Sequence, residues 1–217
     1  MFNAKQLLNQ LVQTKQSANL GGLLSNPAVT GALGGVGGGL LTGMLLNSRN
    51  SGKIAGGIGA AALGGVALNV YKNWQANKNV PQKQQQPQPS KNNALDFDSM
   101  PAAKQDEHSK AMLAAIIATA KADGQFDERE RKLIREETDK LNDPQASAWV
   151  QQEVNKPLDV KYVAGLATSE EMASEIYYAS LMAADRQNQL DVRYLESLAK
   201  ELKLDPQLKL EIEQQLM

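Results

Sequence analysis

Two short acidic turns hold the residues with the most chemical capacity in this chain. The first runs Ala120-Lys121-Ala122-Asp123-Gly124-Gln125-Phe126-Asp127-Glu128-Arg129-Glu130. The second runs Met182-Ala183-Ala184-Asp185-Arg186-Gln187-Asn188-Gln189-Leu190-Asp191. Both follow one plan: an apolar helix, Ala-Asp, a polar turn, an apolar residue, then Asp at the start of another helix. The spacing differs, with Asp123 four residues from Asp127 and Asp185 six from Asp191. Calcium takes about six to eight oxygen ligands, several of them carboxylates, so two such turns meeting in space would supply part of a divalent-metal site. The alternating Asp ladder of an EF-hand is missing. The same residues also suit helix capping. Asp127 opens an acidic variant of the capping box, Asp191 is a favourable N-cap, and Gly124 provides the positive φ that ends a helix. Capping leaves Asp123 and Asp185 without a role, because a negative charge at a helix C-terminus opposes the macrodipole.

Composition removes most other chemistry. The chain has no cysteine and a single histidine, His108. Thiolate metal sites and cysteine nucleophiles are therefore absent, and one histidine argues against a zinc site or a Ser-His-Asp triad. We expect a non-enzymatic protein with no required cofactor, calcium or magnesium being the ion the turns would take. His108 lies near a helix start and is expected at the surface.

The turns sit in a half that reads as all-helical, residues 104–217. Helical periodicity covers Lys104–Ala122 and Asp127–Leu141. Asp143-Pro144 pairs an N-cap with proline at the first helical position and opens a helix to about Val154; Asp205-Pro206 does the same for the last helix. A short helix is expected near residues 159–166. Thr168-Ser169-Glu170-Glu171 reads as a capping box for a helix through Ala184, and Asp191–Leu202 follows. Trp149, Tyr162, Tyr177 and Tyr178 stand among apolar neighbours and are expected in the core of a compact bundle. Mixed-sign runs with Glu128–Lys132 and Glu136–Lys140 at i, i+4 spacing read as solvated faces.

Charge divides the chain. Residues 1–95 hold eight Lys/Arg and no acid, and residues 96–217 hold 15 Lys/Arg against 24 Asp/Glu, a balance of −9. Such an asymmetry suggests separate units, and the acidic one is a poor nucleic-acid binder.

The basic half is dominated by small residues at helical spacing: Gly31, Gly35, Gly39 and Gly43, then Gly52, Gly56, Ala60 and Gly64. Each ladder lines one helix face and would let helix backbones approach closely in a membrane, either within a hairpin or between copies of the chain. Ala28–Leu46 is 19 residues without a charge and Ile54–Tyr71 another 18. At about 1.5 Å per residue, each approaches the roughly 30 Å of a hydrocarbon core. Seven glycines in the first run would weaken a helix in water, whereas lipid enforces helical hydrogen bonding. Tyr71 and Trp74 are placed where aromatic residues mark a membrane interface, and the flanking lysines orient both ends to the cytoplasm.

These features predict four parts: an amphipathic N-terminal helix (1–24), one or two glycine-rich transmembrane segments (25–74), a disordered Pro/Gln linker (75–103) and an all-α domain (104–217). In the linker, Val80-Pro81-Gln82-Lys83-Gln84 and its continuation hold too few apolar residues for a core.

The repeated Ala-Asp-Gly-type turn resembles that of tellurite-resistance TerB-like helical domains. With the glycine-rich segment ahead of it, most of the chain resembles the YebE-like inner-membrane proteins of Gram-negative bacteria. That resemblance implies a bacterial inner-membrane location with a cytoplasmic helical domain. In TerB-like domains the acidic residues of these turns are associated with divalent metal. Carried over, this implicates Asp123, Asp127, Glu130, Asp185 and Asp191. The second turn departs from the pattern, having Arg186 where the family has glycine and no Glu at the matching position. The expected function is that of a membrane-anchored interaction or sensing module, in contact with lipid and an unidentified protein partner. The alternatives are a structural protein that assembles through its ladders and a metal-dependent enzyme.

Overall fold

The protein is represented by a computed structural model that describes residues 4–13, 60–78, 97–122, 124, 131–132 and 143–216. The described elements are α1 (Ala4–Gln13), α2 (Ala60–Lys78), α3 (Ala102–Ala120), α4 (Pro144–Asn155), α5 (Val160–Gly165), α6 (Glu170–Ala183), α7 (Gln189–Glu201) and α8 (Pro206–Gln214). Among the described residues there is no strand, so the fold is all-α. The expected helix 127–141 lies outside them, apart from two helical residues, Arg131 and Lys132.

Local sequence explains the helix starts. The Asp143 carboxylate accepts from the Gln145 and Ala146 N–H groups, Asp159 from Lys161 and Tyr162, and Asp205 from Gln207. Proline follows Asp143 and Asp205 at a position where the missing N–H costs nothing. The α6 cap differs from the expected reciprocal box. Ser169 accepts from the Met172 N–H, and the Thr168 hydroxyl turns to the Met172 sulfur instead. Asn188, not Asp191, caps α7.

The centre of the fold is α6, buried continuously from Met172 to Met182. It packs against α2, α3, α5, α7 and α8. A helix apolar on all sides has to be enclosed. Ala173, Ser174, Ala179 and Ser180 keep it thin enough for its neighbours to close in. Tyr177 and Tyr178 are buried, as their apolar surroundings predict, whereas Trp149 and Tyr162 are half-buried against the core.

Two helices of the basic half share this core. In α1, Ala4, Leu7 and Leu8 are buried, and the Ala4 N–H donates to Asp106 Oδ1 at 2.5 Å. Lys5 Nζ donates to Asp98 Oδ1 and Gln105 Oε1, each at 2.6 Å. In α2, Leu63, Ala67, Val70 and Trp74 form a buried stripe, and the helix packs on α6 and α8. The stripe falls within the uncharged run expected to be a second membrane span, and its apolar surface meets protein. Trp74 is correspondingly 5 % exposed, buried in the core. Tyr71 packs beside it, ring centroids 5.9 Å apart, and its hydroxyl donates to Glu170 at 3.4 Å. Among the described residues no helix is long and apolar enough to cross a membrane. Residues 28–46, and with them Gly31, Gly35, Gly39 and Gly43, lie outside the described residues, as do Gly52 and Gly56.

Ala60 opens α2, and Gly64 has a contact within the chain. A Cβ at Gly64 would overlap the Phe97 ring. Phe97, placed by sequence in the linker, is fully buried and lies edge-on to His108, with centroids 6.3 Å apart and planes at 72°.

Candidate functional site

Three of the five acidic residues singled out by sequence, Asp123, Asp127 and Glu130, lie outside the described residues. Gly124 between them has φ +72°, as a helix-terminating glycine should. The other two come together. The Asp185 N–H donates to Asp191 Oδ2 at 2.8 Å, and Asp185 Oδ1 accepts from the Gln187 N–H at 2.9 Å. These bonds brace the α6–α7 turn and give Asp185 the role that capping left open. Among the described residues, no three His, Cys, Asp or Glu side chains are grouped to hold a metal ion.

A cavity of about 360 Å³ opens between α3, α4, α5 and the start of α6. Ala111 and Ala114 of α3 leave the space, because methyl groups stand where longer side chains would fill it. Trp149, Leu166 and Met172 make apolar walls, and Glu107 and Lys110 stand on the α3 side. Glu153, Tyr162 and Thr168 add polar groups to the lining.

Glu153 is the hub of a polar cluster. It is 5 % exposed, and its carboxylate accepts from the Tyr162 hydroxyl at 3.0 Å and from Lys156 Nζ at 2.5 Å. Lys156 Nζ also donates to the Tyr162 oxygen at 2.6 Å and lies 4.2 Å from the centre of that ring. Burial lowers the Lys156 pKa, but hydrogen bonds to Glu153 and Tyr162 outweigh it and hold the ammonium charged above its ordinary range. Lys121 Nζ donates to the backbone carbonyls of Glu153 and Lys156, at 3.0 and 2.9 Å, and burial pulls its pKa down.

One turn along α3 and α6 from Ala111 and Met172 stands a second buried pair. His108 Nδ1 is 2.5 Å from Glu175 Oε2, with the carboxylate fully buried. The expectation of a surface His108 is thus corrected: the ring is sealed between α3, α6 and Phe97. Glu175 Oε1 has no hydrogen-bond partner among the described residues. Burial raises the Glu175 pKa. For His108, burial acts downward, but the Glu175 hydrogen bond and charge, with Glu171 and Glu107 beyond, raise it on balance. Both shifts have one meaning: the folded pair keeps a proton more readily than the same groups do in water.

The pair left a trace in sequence. His108 falls on the helical face of Met112, Ala115 and Thr119, and Glu175 on that of Met172, Ala179 and Met182. A polar residue on a buried face needs a partner.

A family described as a protein of unknown function (DUF533) matches residues 30–216. The chain belongs to this family, which is one of TerB-like domains. The DUF533 match takes in α2 and the glycine-rich run ahead of it as well as α3–α8. The chain is also similar to an uncharacterized protein encoded in the ampR 5' region of Yersinia enterocolitica. The two are 28% identical over 112 residues, which is 51% of this chain and 81% of that protein. No solved structure matches.

Proposed function

We propose that this DUF533 protein is a non-enzymatic interaction or sensing module attached to a bacterial inner membrane, with its helical body on the cytoplasmic side. The observation that carries this reading is the docking of α1 and α2 into one core. These helices bracket the uncharged run 28–46 in sequence. A single crossing by that run would put its two flanks on opposite sides of the bilayer. With both flanks in one body, a run that entered lipid would need to leave by the face it entered, as a hairpin or a shallow insertion would. Only internally bonded helices are tolerated where lipid is reached, and close helix packing there suits its glycines. An open cavity walled by Trp149, Leu166 and Met172, with Glu153 and Tyr162 as polar groups, suits the binding of a small molecule.

Vesicle flotation tests the reading. The full chain should float with phosphatidylethanolamine–phosphatidylglycerol vesicles, and a variant lacking residues 28–46 should stay in the dense fraction with its helical circular dichroism retained. Equal flotation of the two would remove the anchor. Because the chain has no native cysteine, Gln6→Cys and Asn77→Cys can report sidedness in cells: both should be labelled from the same face.

Divalent-metal binding by the Asp123–Glu130 turn, with Asp185 and Asp191 on the second, belongs to the same proposal. Calorimetric titration with calcium and magnesium tests it; an absence of heat, or heat unchanged by Asp123→Ala, would remove the metal.

A further inference from the structure

The Glu153 cluster has the composition of an ammonium site, and a side chain of the protein already occupies part of it. Lys156 Nζ is held by a buried carboxylate, a phenol oxygen and the face of an aromatic ring. Carboxylate and ring face are the groups that recognise organic cations. Lys156 does not line the cavity, whereas Glu153 and Tyr162 do. The carboxylate that holds Lys156 is therefore also reached from the cavity.

We propose that this cavity binds a primary ammonium carried on an apolar body, and that Lys156 is its tethered surrogate. The volume of about 360 Å³ lies within the roughly 300–1,000 Å³ usual for small-molecule sites. Trp149, Leu166 and Met172 would take the apolar body, and Glu153 and Tyr162 the head. Charge favours a cation over an anion. Among the described lining residues, Glu107 and Glu153 are acids and the one base, Lys110, is already paired with Asp106 at 2.8 Å. The Lys156 side chain is about one-third exposed and reaches Glu153 over one helical turn, so it can swing into water when a ligand ammonium replaces it. A site filled by its own side chain shows a weakened apparent affinity, reduced by the fraction of time it is open. The proposal deepens the sensing reading by naming a ligand class. It requires no membrane, so vesicle binding and ligand binding can fail independently.

The test uses the full chain at neutral pH, with n-hexylammonium as probe and n-hexanol and hexanoate as controls of equal length. The Trp149 indole N–H resonance, assigned by its loss in Trp149→Phe, reports occupancy. Hexylammonium should shift it saturably, and both controls should bind at least about tenfold more weakly, a difference of roughly 1.4 kcal/mol. Lys156→Ala should tighten hexylammonium binding several-fold by removing the tethered competitor. A purely structural Lys156 would give unchanged or weaker binding, and that result would overturn the proposal. Equal binding of hexanol would do so too, by revealing an apolar pocket with no ammonium recognition. Glu153→Gln should abolish the preference for hexylammonium over hexanol. Should that variant not fold, the Lys156→Ala comparison decides alone.

Discussion

The Phe97 ring occupies the space that a side chain at Gly64 would take. A stripe of small residues thus has one rung filled from within the chain. Gly64→Ala should destabilise the protein. Overpacking costs typically about 1–3 kcal/mol, which outweighs the roughly 1 kcal/mol that alanine gains over glycine in a helix. Phe97→Leu in the Gly64→Ala background should recover part of the loss. Urea denaturation of the two single variants and the double variant measures this coupling, and strict additivity would mean that the two residues do not press on each other.

Glu175→Ala should cost roughly 3–5 kcal/mol, because it leaves a buried imidazole without its partner. Replacing both members, as in His108→Leu with Glu175→Met, should cost much less, since no polar group is then stranded. The same denaturation experiment separates the two cases, and equal losses would mean that the pair acts through volume alone.

Stability should fall as pH rises through the mildly acidic range. Both groups have folded pKa values above their ordinary ones, 4.5 for Glu175 and 6.5 for His108. The folded state then binds more protons than the unfolded state, and stability decreases with pH wherever that holds. The contribution is complete below 4.5 for Glu175 and below 6.5 for His108, and is lost as pH passes each raised value. Melting temperatures between pH 5 and pH 8 should show the decline, and His108→Gln should flatten its upper part. A profile unchanged by that substitution would assign the slope to other groups.

Trp74 should be insensitive to lipid. In a Trp149→Phe background its emission should be blue-shifted without vesicles and little quenched by brominated lipids. Strong quenching would return Trp74 to the membrane interface that its sequence position suggests.

Features that depend on near neighbours were readable from sequence. Asp143-Pro144 and Asp205-Pro206 open helices because a cap and its N–H donors lie within three residues. The positive φ of Gly124 is equally local. The burial of α2 was not readable, because an uncharged apolar run looks alike whether protein or lipid covers it. What decides is the fit of Gly64 to Phe97 and of the Leu63–Trp74 stripe to α6 and α8, all distant in sequence. His108 meets a partner 67 residues away, so its location is a property of the assembled bundle. Glu153 shares the helix face of Ala146 and Val150, yet its partner Tyr162 comes from α5, so the cluster shows only in the assembled fold.

The bond from Ala4 to Asp106 closes a loop across 102 residues. At about 5–20 residues per second, the surface that receives α1 is synthesised seconds after α1 itself. The glycine-rich stretch therefore leaves the ribosome before the body exists to clasp its two ends. Were that stretch to enter lipid, as proposed above, insertion could precede closure, and the bundle, forming last, would act as a buckle fastened over it.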